Sequence, residues 1–328
     1  MDETAIAAAD VRAAADRIRG LIRRAPISRA GSELVAPGLA AASVFLVHEY
    51  LQHTGCFKAR GAMNLAEQHR RAATMPAAGV VIASGGNAGL ACGWAARATG
   101  SRATVFLPST APAVKIARLR GYGAEVRLVG TEYADALAAS VTYARSTGAL
   151  LSHAYDHPLI AAGAGTCAAE TIAELDGRLD TIMVAVGGGG LLAGTVAGTE
   201  ETGIRVVAVE PERSSALHAA LAAGEPVDVP VDSVAGDSLG ARRVSRMAYR
   251  AALGSAVRSV LVTDAAIIAA RGFLWEHWRI VVEHGGATAL AALLSGSYQA
   301  EPGERIAVIL CGANTDPGDL VTAVDQPG

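Results

Sequence analysis

Apolar and polar positions divide the chain into short runs rich in β-branched residues and longer runs rich in alanine. The β-branched runs predict strands at residues 43–47, 80–83, 104–107, 125–129, 181–186, 205–209 and 305–310. The alanine-rich runs predict helices at 87–98, 113–120, 134–146, 160–175 and 191–200, and an amphipathic pattern predicts another at 2–24. Strands that alternate with helices in this way predict an α/β fold, with open, mostly parallel sheets flanked by helices.

The chain shows no internal repeat, low-complexity linker or block of charge along its 328 residues. At about 150 residues per domain, this length corresponds to roughly two domains. Because no boundary is visible, we expect the two domains to be interleaved. Glycine clusters follow the predicted strands that end at Ala83, Val186 and Leu310. In open α/β sheets, ligands bind at such strand ends.

Charge and composition exclude several classes of protein. The chain has 28 Lys and Arg against 31 Asp and Glu, a net charge of −3, and without a basic tract we do not expect nucleic acid as the main partner. A content of 51% hydrophobic and 18% charged residues excludes a disordered chain. Residues 181–199 carry no charge, but the four consecutive glycines at 187–190 favour strand, loop and helix over a membrane span.

The cysteines and the N-terminal sequence indicate the compartment. The four cysteines lie too far apart to form a CxxC pair, and no basic segment is followed by an apolar one as in a signal peptide. We therefore expect a cytoplasmic protein with free thiols.

Lysine is scarce, since only two of the 28 basic residues are lysines, Lys58 and Lys115. Because arginine stays protonated, chemistry that needs an amine able to lose a proton has these two candidates. Lys58 follows Phe57 in the segment HTGCFKARGA. A lysine in this setting could form a Schiff base while Phe57 packs against a ring, or it could simply begin a helix at the surface. Lys115 is predicted on a solvated helix face.

The segment 84–89, Ser-Gly-Gly-Asn-Ala-Gly, follows a predicted strand and begins a predicted helix. Backbone N–H groups at such a turn, with the helix dipole, would hold a carboxylate or a phosphate. Ser84 and Asn87 could add hydrogen bonds. The alternative is an ordinary glycine turn in which Asn87 caps the helix.

Gly187 to Gly190, followed by Leu191, repeat this arrangement in a geometry that cradles phosphate. Gly188, Gly190 and Ala193 also fit a dinucleotide fingerprint, with Glu210 at the distance of a ribose-binding acid. A nicotinamide-dependent oxidoreductase therefore remains an alternative at this point.

Two further candidates occur near the C-terminus. Cys311, after the last predicted strand, could face a ligand, although free cysteine is more commonly a small buried hydrophobe. Glu283 could point into the cleft or lie at a solvated helix end.

In their order along the chain, these segments resemble the fold type II pyridoxal-phosphate enzymes, and within them the serine/threonine dehydratases. Residues 49–62, EYLQHTGCFKARGA, are similar to the E-x-LQ-x-TGSFK-x-RGA motif of that group. Residues 155–170 resemble its FDDP-L to GQGT-x-x-x-E stretch, and GGGGLLAG and CGAN complete the series. Asn87-Ala88-Gly89 together with Cys311 resembles the liver-type serine dehydratase branch.

This resemblance implies a fold like that of the tryptophan synthase β subunit. It has a large cofactor-binding domain, here residues 1–75 and 158–328, and a small domain, 76–157, inserted in it. The resemblance also implies pyridoxal 5'-phosphate as the cofactor, a small amino acid as the substrate, and a homodimer.

The resemblance further implies a role for each matching residue. Lys58 would form the covalent link to the cofactor and act as base. The other cofactor-binding residues would be Phe57, Asn87, Gly187, Gly188, Gly189, Gly190, Leu191, Glu283 and Cys311. The substrate carboxylate would be bound by Ser84, Gly85, Asn87 and Ala88. Glu210 would mark a cation site, where Ala216 in place of an aspartate favours a monovalent ion such as K⁺, or none.

The implied activity is dehydration and deamination of L-serine or L-threonine to a 2-oxo acid and ammonia, in amino-acid catabolism. Cys56, Ala164, His284 and Ala88 depart from the family motifs at positions that would surround substrate and cofactor, so they bear on the identity of the substrate more than on that of the cofactor. A dehydratase of threo-3-hydroxyaspartate, with Arg242 and Arg243 meeting its second carboxylate, and a β-replacement enzyme remain alternatives. So does a non-catalytic ligand-binding relative. Racemisation is disfavoured because Gly85 has no proton to give.

Overall fold

The structure is a computed structural model that describes residues 5–31, 42–254 and 257–322. Its helices are α1 Ala8–Ile18, α2 Lys58–Arg71, α3 Asn87–Ala98, α4 Ala113–Gly121, α5 Tyr133–Thr147, α6 Pro158–Glu174, α7 Gly190–Thr199, α8 Ala216–Ala223, α9 Gly236–Leu239, α10 Arg246–Gly254, α11 Asp264–Trp278, α12 His284–Leu294 and α13 Gly318–Thr322. Its strands are β1 Ile27–Arg29, β2 Ser43–Val47, β3 Val80–Ala83, β4 Ala103–Leu107, β5 Glu125–Leu128, β6 Leu150–Leu151, β7 Thr181–Ala185, β8 Arg205–Pro211, β9 Val257–Val262 and β10 Arg305–Ile309.

These strands form two sheets. The larger has six strands in the order β1-β2-β10-β7-β8-β9, and the smaller has four in the order β5-β4-β3-β6. Every neighbouring pair is parallel except β1 and β2, which are antiparallel. The predicted α/β class with mostly parallel sheets is therefore confirmed.

The residues that form the smaller sheet lie, in sequence, between strands β2 and β7 of the larger sheet. Its strands β3 to β6 all fall within the segment 76–157, for which we predicted an inserted domain. The domain limits themselves stay a prediction.

The predicted elements recur with small shifts at their ends, and one is wrong over part of its length. Residues 2–4 of the predicted helix 2–24 lie outside the described residues. The helix observed there is α1, and the chain leaves helical geometry at Arg19, with ψ 125°. Strand β9 and helices α11 and α12 were not predicted. In the described part of the chain, no helix is both long and apolar enough to cross a bilayer.

Glycines allow the helices under the larger sheet to pack closely. A Cβ on Gly194 of α7 would lie 2.2 Å from the carbonyl oxygen of Ala161 in α6. One on Gly163 of α6 would lie 2.7 Å from the carbonyl oxygen of Arg60 in α2. The backbones of α2, α6 and α7 are therefore in direct contact, which fixes the first turn of α2 against the rest of the molecule.

A buried ion network joins the same helices. The fully buried guanidinium of Arg60 donates to both carboxylate oxygens of Glu49, at 2.7 and 3.0 Å. It also donates to Thr166 Oγ1 at 3.0 Å and to Glu170 Oε2 at 2.7 Å. The polar residues of two motifs, 49–62 and 155–170, therefore pair with each other. This network holds α2, and with it Lys58, in place.

Candidate active site

The loop before α2 is bound to the loop after β10. Cys56 and Gly312 form an antiparallel bridge, and the N–H of Phe57 donates to the carbonyl of Cys311 at 3.0 Å. Because β2 and β10 are parallel neighbours, their carboxyl ends meet at the same edge of the sheet. Two motifs that are distant in sequence are thereby brought together at the start of α2.

Lys58 is the first residue of α2. Its Nζ atom donates to the carbonyl of Ala154 at 3.2 Å and lies 4.9 Å from the centroid of the Phe57 ring. Burial lowers the pKa of this amine, and the nearby Cys56, Cys311 and Glu283 oppose the shift only in part. A larger share of Lys58 is therefore neutral than for a lysine in water.

The glycine loop follows β7 and opens α7 close to Ala154. Gly189 has φ +91°, a left-handed conformation that favours glycine, and a Cβ on Gly188 would lie 2.3 Å from the Tyr155 ring. In the described part of the chain, the N–H groups of Gly188, Gly189 and Gly190 donate to no protein acceptor. Three free N–H groups at a helix N-terminus suit an anion.

The first residues of α3 form a second set of donors. The loop of Ser84 to Gly86 leads from β3 into α3, and Asn87 is the first helical residue. No described acceptor takes the N–H of Asn87 or Ala88, as is usual for a first turn. Gly85, Gly86 and Asn87 of this turn line a cleft. Of the predicted carboxylate-binding residues, Gly85 and Asn87 line this cleft, and Ser84 and Ala88 are their neighbours in sequence but do not line it.

A chain of side-chain hydrogen bonds crosses this cleft. The Nδ2 atom of Asn87 donates to Glu283 Oε1 at 2.8 Å, and Asn314 Nδ2 donates to Asn87 Oδ1 at 2.6 Å. Arg118 of α4 donates in turn to Asn314 Oδ1. These hydrogen bonds therefore connect helices α3 and α4, beside the smaller sheet, with two loops of the larger sheet.

Glu283 points into the cleft and is not at a solvated helix end. It is 8% exposed and lines the cleft. Burial raises the pKa of its carboxyl to about 7, against the opposing effects of Asn87 and Lys58.

The two cysteines near Lys58 are buried thiols. Cys311 is 4% exposed, and its Sγ atom lies 3.5 Å from the carbonyl oxygen of Gly285. Burial raises the pKa of Cys311 strongly and that of Cys56 to about 12, and the neighbouring Glu283 adds to both shifts. Both are therefore neutral thiols at ordinary pH.

Glu210 is separate from these residues. Its two carboxylate oxygens accept the N–H groups of Leu217 and His218 at 2.8 Å each, so the side chain caps the first turn of α8. Burial raises the pKa of Glu210 to about 7. Among the described residues, no three His, Cys, Asp or Glu side chains cluster as a metal site requires. A cation at Glu210 stays a prediction.

Sequence reasoning missed part of the cleft. Lys115, predicted on a solvated helix face, has 36% of its side chain exposed, but its Nζ atom also pairs with Asp237 Oδ1 at 2.6 Å and the residue lines the cleft. Arg118 and Asp237 line it as well. Asn314 belongs to the CGAN motif but received no role. The i, i+3 spacing of Lys115 and Arg118 was the signal available in the sequence.

Known proteins resemble the chain over nearly its whole length. A family model described as pyridoxal-phosphate dependent enzyme matches residues 18–312. The L-threonine ammonia-lyase of Geobacter sulfurreducens is 33% identical over 318 residues, 96% of this chain and 77% of that protein. The L-threo-3-hydroxyaspartate ammonia-lyase of a Pseudomonas species is 33% identical over 309 residues, 94% of this chain and 95% of that protein. The solved serine racemase of Dictyostelium discoideum has a TM-score of 0.86 and 30% identity, covering 95% of this chain and 99% of that one.

Proposed function

The chain belongs to the pyridoxal-phosphate dependent enzymes, and from this premise we propose that it is an ammonia-lyase for β-hydroxy amino acids. It converts substrates of the L-serine and L-threonine class to a 2-oxo acid and ammonia. The observation that carries the proposal is the buried amine of Lys58, which lies beside the Phe57 ring and donates to the carbonyl of Ala154. The next residue, Tyr155, lies against Gly188 of the glycine loop, whose N–H groups are free. The nicotinamide-dependent alternative is wrong for a member of this family.

The residues present fit pyridoxal phosphate. Lys58 offers a buried amine for the covalent link, and the glycine loop offers N–H groups for the phosphate. We propose that Gly187 to Gly190 with Leu191 hold this phosphate, and that Phe57, Asn87, Glu283 and Cys311 surround the ring. When bound, the cofactor supplies an electron sink for an amino acid attached to it.

The protein's own groups would then do the positioning and the proton transfer. The first turn of α3, with Ser84, Gly85, Asn87 and Ala88, binds the substrate carboxylate through N–H groups and the helix dipole. The neutral form of Lys58 removes the proton from Cα, and its lowered pKa makes that form more abundant. Cys311, as a neutral thiol, would offer the bound cofactor no negative charge such as a carboxylate would bring.

Replacement of Lys58 tests this assignment directly. We expect Lys58→Ala to lower 2-oxo acid release by roughly a thousandfold or more, because both the covalent link and the base are lost. Borohydride reduction of the yellow wild-type protein should fix the cofactor on the peptide that contains Lys58.

Lys115→Arg is the matched control, since Lys115 is the other lysine of the chain and arginine can keep the ion pair with Asp237. This variant should retain the label on Lys58. A Lys58→Ala enzyme that still turns over, or a label on Lys115 in the wild type, would contradict the assignment.

We also propose that the enzyme works in amino-acid catabolism as a homodimer in the reducing cytoplasm. The compartment is supported by the four cysteines, which are all free and buried in the structure. The dimer is supported by the family resemblance alone. Light scattering of the purified protein tests it, and a single 33.2 kDa species would contradict it.

A further inference from the structure

The helix α4 presents two cations to the cleft beside the first turn of α3. Lys115 and Arg118 are three residues apart on this helix, so they lie on one face, and both line the cleft that Gly85 to Asn87 border. The proposed function gives neither of them a role.

The two cations differ in what already balances their charge. The ammonium of Lys115 pairs with the carboxylate of Asp237 at 2.6 Å. Arg118 is exposed at the cleft, and its contact is the neutral amide oxygen of Asn314. Among the described residues, no carboxylate lies within ion-pair distance of Arg118. The planar guanidinium has five N–H donors, so one contact leaves donors free for a bidentate carboxylate.

We infer that Arg118 binds a second carboxylate of the substrate, so that the enzyme acts on β-hydroxy dicarboxylic amino acids of the 3-hydroxyaspartate class. The inference rests on the proposed function. The α3 turn supplies N–H groups for one carboxylate, and a monocarboxylic substrate such as serine would leave the Arg118 cation without an anion. A substrate with two carboxylates matches both sites.

Arg242 and Arg243, the earlier candidates for this role, lie elsewhere. Both are exposed, neither lines the cleft, and Arg243 Nε pairs with Asp228 Oδ1 at 2.8 Å. The remaining acids of the cleft do not cancel Arg118. Asp237 is held by Lys115, and Glu283 accepts the amide hydrogen of Asn87.

The reaction stays balanced with this substrate. The C–O bond at Cβ breaks and water leaves, and the resulting enamine nitrogen is then released as ammonia when one water adds to the carbon that bears it. 3-Hydroxyaspartate thus becomes a four-carbon 2-oxo dicarboxylic acid and ammonia. No oxidant or reductant is required.

The test compares kcat/KM for L-threo-3-hydroxyaspartate and for L-serine in the wild type and three variants. Arg118→Gln keeps an N–H donor for Asn314 but removes the charge, and Arg118→Lys keeps the charge without the planar fork. Arg120→Gln is the matched control, because Arg120 is exposed on the same helix and does not line the cleft.

We expect the wild type to prefer 3-hydroxyaspartate over serine. In Arg118→Gln this preference should fall by roughly tenfold or more, mainly through KM, as for the loss of a charge-assisted hydrogen bond. The substrate preference of Arg118→Lys should lie between those of the wild type and Arg118→Gln, and Arg120→Gln should keep the wild-type preference. Calorimetry should also show that succinate, with two carboxylates, binds more weakly to Arg118→Gln than to the wild type. The binding of butyrate, with one carboxylate, should change less.

Three results would overturn the inference. If the wild type turns over serine but not 3-hydroxyaspartate, the inference fails while the proposed function stands. If Arg118→Gln lowers kcat/KM equally for both substrates, Arg118 acts on the common part of the substrate or through Asn314. If no hydroxy amino acid yields a 2-oxo acid, the proposed function itself fails. If Arg118→Gln does not fold, the substrate preferences of the wild type and of Arg118→Lys still test the inference.

Discussion

Glu283 shows at the scale of one residue how the site depends on pH. Burial raises the pKa of its carboxyl from 4.5 to about 7, so the folded protein binds this proton more tightly than the unfolded chain does. The contribution of Glu283 to the free energy of unfolding therefore falls as the pH rises from about 4.5 to 7, by roughly 3 kcal/mol, and is constant above that range. We expect Glu283→Gln to remove this fall, as measured by urea unfolding of the cofactor-free protein between pH 5 and 8.

The control for this prediction is Glu225→Gln, at an exposed position. It should keep the wild-type dependence on pH. A Glu283→Gln protein whose stability declines with pH as steeply as that of the wild type would contradict the raised pKa.

Single residues also show what the sequence could and could not reveal about the site. Lys58 was identifiable because an amine, an aromatic neighbour and a local motif occur within a few positions. Arg118 was not, because its partner Asn314 is 196 residues away in sequence. Only the approach of α4 to the loop after β10 makes this arginine part of the cleft, and no local pattern records that approach.

At the scale of helices, the contact between α6 and α7 depends on the absence of a side chain. A Cβ at position 194 would lie 2.2 Å from the carbonyl oxygen of Ala161 and 2.5 Å from the nitrogen of Gly165. Since both are backbone atoms, the helices must move apart. We expect Gly194→Ala to lower the free energy of unfolding by about 3 kcal/mol, as measured by denaturant titration.

Gly272→Ala is the matched control for this prediction. Gly272 lies inside α11, and a Cβ there would meet nothing within 4 Å. This change should leave stability equal or raise it by about 0.5–1 kcal/mol, because alanine favours helix. Equal losses in the two variants would show that helix packing is not the cause.

Elements were predictable where burial leaves either a short β-branched apolar run or a clear period in the sequence. Strand β3 is buried at all four positions, and its apolar run was recognised. Strand β9 is half-exposed at the edge of the sheet and includes Arg258 and Ser259, so its apolar signal is weak. Helix α12 buries nine of its 11 residues and thus has no polar face to mark its period.

At the scale of the whole molecule, the Arg60 network joins two segments of the chain, one that precedes the smaller sheet in sequence and one that follows it. Glu49 and Arg60 precede that sheet in sequence, and Thr166 and Glu170 follow it. We expect Glu49→Ala to lower the free energy of unfolding by roughly 3–5 kcal/mol, because it leaves a buried guanidinium with too few acceptors. Chemical denaturation measures this loss.

A surface ion pair provides the comparison. Glu125 and Arg127 pair at 2.8 Å with 46% and 42% of their side chains exposed. Glu125→Ala should therefore cost less than about 1 kcal/mol. If both glutamate variants lose the same small amount, the buried network does not hold the two segments together.

The order of strands in the larger sheet could not be predicted. Hydrophobic period and turn residues indicate that a strand exists, whereas its neighbours follow from packing over the whole chain. In the structure, β10 lies between β2 and β7, and Arg305 is paired with Ser43. The alternation of strands and helices predicted parallel pairing and the right fold class, but it did not predict the central position of β10.

The central place of β10 has a consequence for how the protein is made. A ribosome translates β1, β2 and the Lys58 segment early, but β2 gains its second sheet neighbour, and Cys56 its bridge to Gly312, only after 305–312 have been synthesised. Until then β2 and β7 present open edges in the nascent polypeptide, a state that chaperones commonly protect. We therefore expect cofactor capture to be a late, post-translational event, which chains stalled before residue 305 cannot complete.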